Sequence, residues 1–110
     1  MLDLFAPDIV WSTPDSLRFG GRYTGRDEIL EFFSLAREHI AELHVEPETY
    51  IGAADSVVVL GRYRGRTALG KACEVPWVHI WTWHDGKATS FTDCFDAGRV
   101  IPALRSRRAE

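Results

Sequence analysis

The sequence predicts a single α+β domain in which helical material comes first and a curved antiparallel sheet follows. Three observations predict it. Apolar residues recur at helical spacing across 24–40, whereas from residue 43 onward the period changes to two. The period-two runs follow one another with only turn residues between them, as strands joined by hairpins do. A chain of 110 residues suits one core, so the domain is taken as 1–110.

Each element follows from its local chemistry. Residues 1–6 (MLDLFA) read as the end of a helix stopped by Pro7 and Asp8. Ile9, Val10 and Trp11 read as a short strand ended by Thr13, Pro14 and Asp15, and 17–25 as a glycine-punctuated loop. The main helix is expected to start at Thr24, with Asp27 placed as in a capping box. Its apolar face is Ile29, Leu30, Phe32, Phe33, Ala36 and Ile40; Glu31, Arg37, Glu38 and Glu42 take the wet side. Strands are expected over 43–51, 56–64, 71–83 and 87–95, with Gly61 marking a bend or bulge in the second. Residues 98–104 suit one or two helical turns, weakened by Pro102.

Charge and composition exclude several functions. The net charge of −3 has no long basic stretch, a poor footprint for phosphate backbones, so no nucleic-acid partner is expected. Arg105, Arg107 and Arg108 read as a solvated tail. No apolar run approaches the about 20 residues of a membrane span, and no leader pattern opens the chain, so no membrane partner and a cytoplasmic location are expected. Cys73 and Cys94 form no metal-binding spacing, so they are expected to be reduced and inert, with no metal.

The hairpin between the last two strands decides which side chains meet. A three-residue connection, His84-Asp85-Gly86, with the glycine left-handed, pairs Trp83 with Lys87. Counting back, His79 faces Phe91, Trp77 faces Asp93, and His79 and Asp93 become diagonal neighbours, roughly 7 to 8 Å apart at the backbone. Trp77, His79, Trp81, Trp83, Phe91, Asp93 and Phe95 then share one face; Val78, Ile80, Thr82, Ala88, Ser90, Thr92 and Cys94 share the other. Cys73 and Cys94 fall on opposite sides, which opposes a bridge. A two-residue Asp85-Gly86 turn would instead move Asp93 to the face opposite His79.

An aspartate and a histidine among so many aromatic rings need a reason, because burying an unpaired carboxylate costs several kcal/mol. Burial disfavours the charged carboxylate and a hydrogen bond from His79 favours it, so the pair suits proton exchange near neutral pH. The alternative is a satisfied polar pair that braces the sheet.

The strings LFAPDIVW, RYTGRDEILEFF and PWVHIWTWHDGKATSFTDCFD resemble the SnoaL-like branch of the nuclear transport factor two-like superfamily, across residues 2 to about 104. The resemblance implies a cone whose curved sheet wraps helices around an apolar pocket. It also implies that Asp93 stands where SnoaL-like polyketide cyclases keep a general acid/base, and His79 where they keep a histidine one strand earlier. Their intramolecular aldol closure needs no metal or cofactor, and none is expected here. Trp11, Phe32, Trp77 and Trp81 would line the pocket, with Phe91 on the same face as His79. Tyr63 either donates a hydrogen bond into the pocket or sits at its rim. Sheet-to-sheet dimers are common in the family, and the Val78, Ile80, Thr82 face suits a homodimer.

The departures are specific. The proton-abstracting aspartate of ketosteroid isomerases falls on Thr13, and the Arg-x-Asp of limonene epoxide hydrolases falls on Arg62, Tyr63 and Arg64, so neither chemistry is expected. The family's first helix, which closes the cone, is expected to be missing. His39 and His44, about 140° apart on a helix, do not converge on a metal. Arg62 and Arg64 read as a solvated face, the glycines of FGGRYTG lack a phosphate-loop context, and no G-x-S-x-G elbow is present. The expected function is a small-molecule enzyme using Asp93 and His79 for acid–base chemistry on an apolar, carbonyl-containing substrate. The alternative is a non-catalytic module of the same fold that binds a hydrophobic ligand or dimerises.

Overall fold

The computed structural model describes residues 2–105 and is α+β, with six strands in one curved open sheet and two helices. Arg107 and Arg108, read above as tail, lie outside the described residues. A 3-10 turn, Leu2–Leu4, leads into β1 (Phe5–Thr13) and β2 (Gly21–Thr24). Then come α1 (Arg26–His39), β3 (Ile40–Ala53), β4 (Ser56–Thr67), β5 (Ala72–His84), β6 (Lys87–Phe95) and α2 (Ala97–Leu104). The order across the sheet is β2-β1-β6-β5-β4-β3. All neighbours run antiparallel except β1 and β6, which are parallel.

The first thirty residues depart most from expectation. Residues 1–6 do not end a helix: strand geometry begins at Phe5, and Pro7 sits where the β1–β6 ladder is interrupted, between Phe5 and Val10. A proline has no N–H to give such a ladder. The expected loop contains β2, which pairs Tyr23 with Trp11 and Thr24 with Val10. The chain can double back because Gly20 lets the carbonyl of Pro14 approach to where a side chain would stand, 1.8 Å from a Cβ position.

Helix α1 starts at Arg26, two residues later than expected. Gly25 is its N-cap, with φ 85°, and no side chain caps it. Glu28, not Asp27, reaches back to Thr24, accepting from its backbone N–H at 2.8 Å. Ile29 is fully buried, with Phe32 and Phe33 packed on its cluster and Ala36 on the Leu17, Phe19 and Ala97 group, whereas Leu30 turns to solvent and Ile40 already belongs to β3. The strand β3 follows the helix directly, with Ile40 extended at φ −118°.

The β5–β6 turn overturns the expected three-residue connection. His84 pairs with Lys87 around Asp85 and Gly86, whose φ angles of 50° and 77° are those of a type I′ turn. Such a turn by itself would place Asp93 on the wrong face. A bulge at Thr89, between the Trp83–Ala88 and Thr82–Ser90 pairs, restores the parity. Thr82 Oγ1 holds the bulge, 2.8 Å from Thr89 Oγ1 and 2.5 Å from Ser90 Oγ. Beyond it His79 faces Asp93, Trp81 faces Phe91 and Trp77 faces Phe95. Ala88 is carried to the inner face, contrary to expectation, and is buried there with Phe5, Ile9, Trp11, Ile29 and Phe91.

Candidate functional site

Strands β4, β5 and β6 lie side by side, and each contributes one side chain to a polar cluster on the inner face. Tyr63 Oη is 2.7 Å from His79 Nε2 and 2.7 Å from Asp93 Oδ2. His79 Nε2 also stands 3.1 Å from Asp93 Oδ1. One N–H serves one acceptor well, and Oδ1, which is enclosed, is left without a hydrogen bond. The side chains of His79 and Asp93 are only 11% and 9% exposed, so this polar cluster is set in a low-dielectric surround. Burial above all, then the charge of Asp93 and the hydrogen bond to it, hold the Tyr63 phenol far above its ordinary value, and it keeps its proton.

Aromatic rings enclose the cluster. Trp77 lies flat on His79, with ring centroids 3.7 Å apart and planes 13° apart, and Phe91 meets the imidazole edge-on at 4.7 Å. Trp77 fits there because Gly61 has no side chain: a Cβ would stand 2.4 Å from Trp77 Cζ2 and 2.4 Å from the Glu46 carbonyl oxygen. Gly61 therefore permits a close approach, and the register shift beside it lies in β3, between Pro47 and Thr49.

The structure brings His79, Asp93, Tyr63, Trp77 and Phe91 together. Trp11, Phe32 and Trp81 sit one ring further out: Trp11 and Trp81 pack on Phe91 at 4.0 and 4.5 Å, and Phe32 packs on Trp11 at 6.1 Å. Tyr63 is neither rim nor wall but the bridge between the two expected acid–base groups. Phe95, which had only a place on the shared face, stands edge-on to Tyr63 at 5.6 Å. The inner-face parity of Phe95 was the signal for it.

A cleft of about 560 Å³ is lined by Leu17, Phe19, Leu69, Ile101 and Leu104 together with Arg18, Glu38, His39 and Arg105; contrary to expectation, none of Trp11, Phe32, Tyr63, Trp77, Trp81 and Phe91 lines it, nor does His79 or Asp93. Phe95 connects cleft and cluster, since it packs on the Leu17, Phe19 and Ala97 group and on Tyr63. His39 stacks on Phe19 and His44 pairs with Glu42, so the two do not converge. Arg62 pairs with Glu74 and Arg64 with Glu46 on an exposed face. Cys73 and Cys94 are free thiols. Among the described residues no helix is long and apolar enough to cross a membrane.

The family model for the SnoaL-like domain matches residues 1–91, most of the chain. The chain belongs to the SnoaL-like family. The match ends at residue 91, two residues before Asp93. This SnoaL-like chain is similar to the crystal structure of an NTF2-like protein of unknown function from Burkholderia pseudomallei K96243. The two are 32% identical, with a TM-score of 0.91 over 96% of this chain and 82% of that one. It is also similar to TerC, co-crystallised with polyporic acid: 30% identical, with a TM-score of 0.88 over 96% of this chain and 83% of that one. A putative SnoaL-like polyketide cyclase from Jannaschia sp. CCS1, 21% identical over 93% of this chain and 74% of that one, shares the fold with a TM-score of 0.81. No curated protein matches the chain.

Proposed function

We propose that this SnoaL-like protein is a small-molecule enzyme of the cyclase or isomerase class, in which Asp93 and His79 perform acid–base chemistry on an apolar, carbonyl-containing substrate. The observation that carries this reading is the buried carboxylate–imidazole pair, with Asp93 Oδ1 3.1 Å from His79 Nε2 inside a wall of aromatic rings. A pair placed in this way suits proton removal next to a carbonyl and proton return to the oxygen that becomes charged. Trp77 and Phe91 supply the dry surround, and Trp11, Phe32 and Trp81 support it from behind. TerC crystallised with a small molecule, which supports a ligand of that kind here. Two free cysteines support a reducing, cytoplasmic setting.

Deuterium exchange at the carbon beside the carbonyl of a small apolar ketone, in heavy water, tests this reading. The protein should accelerate exchange, and Asp93→Asn should lose roughly 10²- to 10⁴-fold while keeping its fold. Exchange by folded Asp93→Asn equal to that of the parent overturns it. A second reading has its own support: the cleft of about 560 Å³ does not include the pair, as befits a hydrophobic-ligand module braced by a polar network. Ketone binding without any accelerated exchange favours that reading.

A homodimer through the outer sheet face is part of the proposal. Ile51, Val58 and Ile80 are aligned across β3, β4 and β5, and Leu60 and Val78 form the next row. Ile51, Leu60 and Ile80 are exposed in the single chain, an apolar patch of the kind that association covers.

A further inference from the structure

We infer that Tyr63 and Asp93 together hold His79 in the tautomer protonated at Nε2, which makes Nδ1 the atom that takes a proton from the substrate. This rests on the reading of the pair as acid–base machinery and assigns its parts.

Tyr63 has one hydroxyl proton and two neighbours at 2.7 Å, His79 Nε2 and Asp93 Oδ2. A carboxylate only accepts, so the hydroxyl proton goes to Oδ2, and the Tyr63 oxygen is left to accept. What it accepts is the hydrogen on Nε2. The phenol itself does not ionise in this surround. Trp77 covers one face of the imidazole from β5 and Phe91 stands at its edge from β6, and neither carries charge. Tyr63 from β4 and Asp93 from β6 are thus the titratable groups that face His79.

The other ring nitrogen is in a different position. Nδ1 takes no hydrogen bond among the described residues, the polar contacts of the ring all falling on Nε2. It is the bare lone pair of the network. A neutral imidazole protonated at one nitrogen accepts at the other, and which one is set by the hydrogen bond the first makes.

The resulting step balances. A proton leaves the carbon beside the substrate carbonyl, its bonding electrons stay behind as an enolate, and the proton joins Nδ1. The Nε2 proton moves to Tyr63 Oη as the hydroxyl proton moves to Asp93 Oδ2. The end state is a neutral imidazole protonated at Nδ1, a neutral phenol and a protonated Asp93; the negative charge that Asp93 carried is now on the enolate. Reversal returns the proton. His79 touches the substrate, Asp93 stores the proton, and Tyr63 is the positioning residue between them.

Nitrogen-15 spectroscopy of the His79 ring in the whole protein near neutral pH reads the tautomer without any substrate. A protonated Nε2 with a bare Nδ1 is expected; a dominant Nδ1–H form overturns the inference. Exchange on a small ketone reads the relay: Tyr63→Phe should be slowed about 100-fold or more with ketone affinity unchanged. Folded Tyr63→Phe that exchanges as fast as the parent overturns it as well. If the parent protein shows no exchange, the functional reading fails, while the ring spectrum still decides the tautomer.

Discussion

The indole of Trp77 lies where Gly61 has no side chain, and from there it stacks flat on His79, 3.7 Å between ring centroids. A glycine on β4 thereby determines how a ring on β5 is held. Gly61→Ala would force a carbon to within 2.4 Å of both Trp77 and the Glu46 carbonyl oxygen. Backbone on one side and a buried ring on the other leave no cheap relief. Urea unfolding should show a loss of about 1–3 kcal/mol, with a changed near-ultraviolet spectrum from Trp77. Unchanged stability would mean that Trp77 does not occupy that space.

Tyr63 makes stability depend on pH at the alkaline end. Its phenol is held above its ordinary value, first by burial and then by the charge of Asp93, so the folded state favours the protonated form. That contribution is whole below the ordinary tyrosine value of about 10 and is lost as pH rises beyond it. Denaturant unfolding between about pH 9 and 11 should show stability falling more steeply in the parent than in Tyr63→Phe. Parallel curves would contradict this assignment. At neutral pH the same variant should be less stable by about 1–3 kcal/mol, because Asp93 Oδ2 loses its donor.

The turn that sets the β5–β6 register is also open to test. Gly86 has φ 77°, and nothing lies within 4 Å of the position a Cβ would take, so Gly86→Ala isolates the backbone cost. Thermal unfolding should report a loss of about 1 kcal/mol. The His79 and Asp93 resonances should stay in place, since the Thr89 bulge lies beyond the turn.

Ile80 tests the outer face. Light scattering should give a dimer for the parent protein, and Ile80→Glu, which puts a charge at the β5 end of the Ile51, Val58, Ile80 row, should give a folded monomer. A monomeric parent would remove the proposed homodimer and leave the site reading intact.

Much of the architecture was legible in the chain. Helical spacing located α1, alternation located the strands after it, and odd numbering put Trp77, His79, Trp81, Phe91 and Asp93 on one face. Alternation survives because one face of each strand meets the core and a slip of one residue would expose it. The short strand β2 was not legible: four residues next to glycines carry too little pattern, and they form a strand only because β1 is beside them.

What the sequence by itself determined is the α+β class, the helix, a hairpin near residue 85 and the presence of a carboxylate and an imidazole among aromatic rings. What only the tertiary structure decided is that they meet. The bulge at Thr89 compensates the two-residue turn, and the bulge depends on how two strands twist against their neighbours, which no local run of residues encodes. The bridging role of Tyr63 likewise needs β4 at the right height beside β5 and β6, a distance set by three strands packing together across 30 residues of chain.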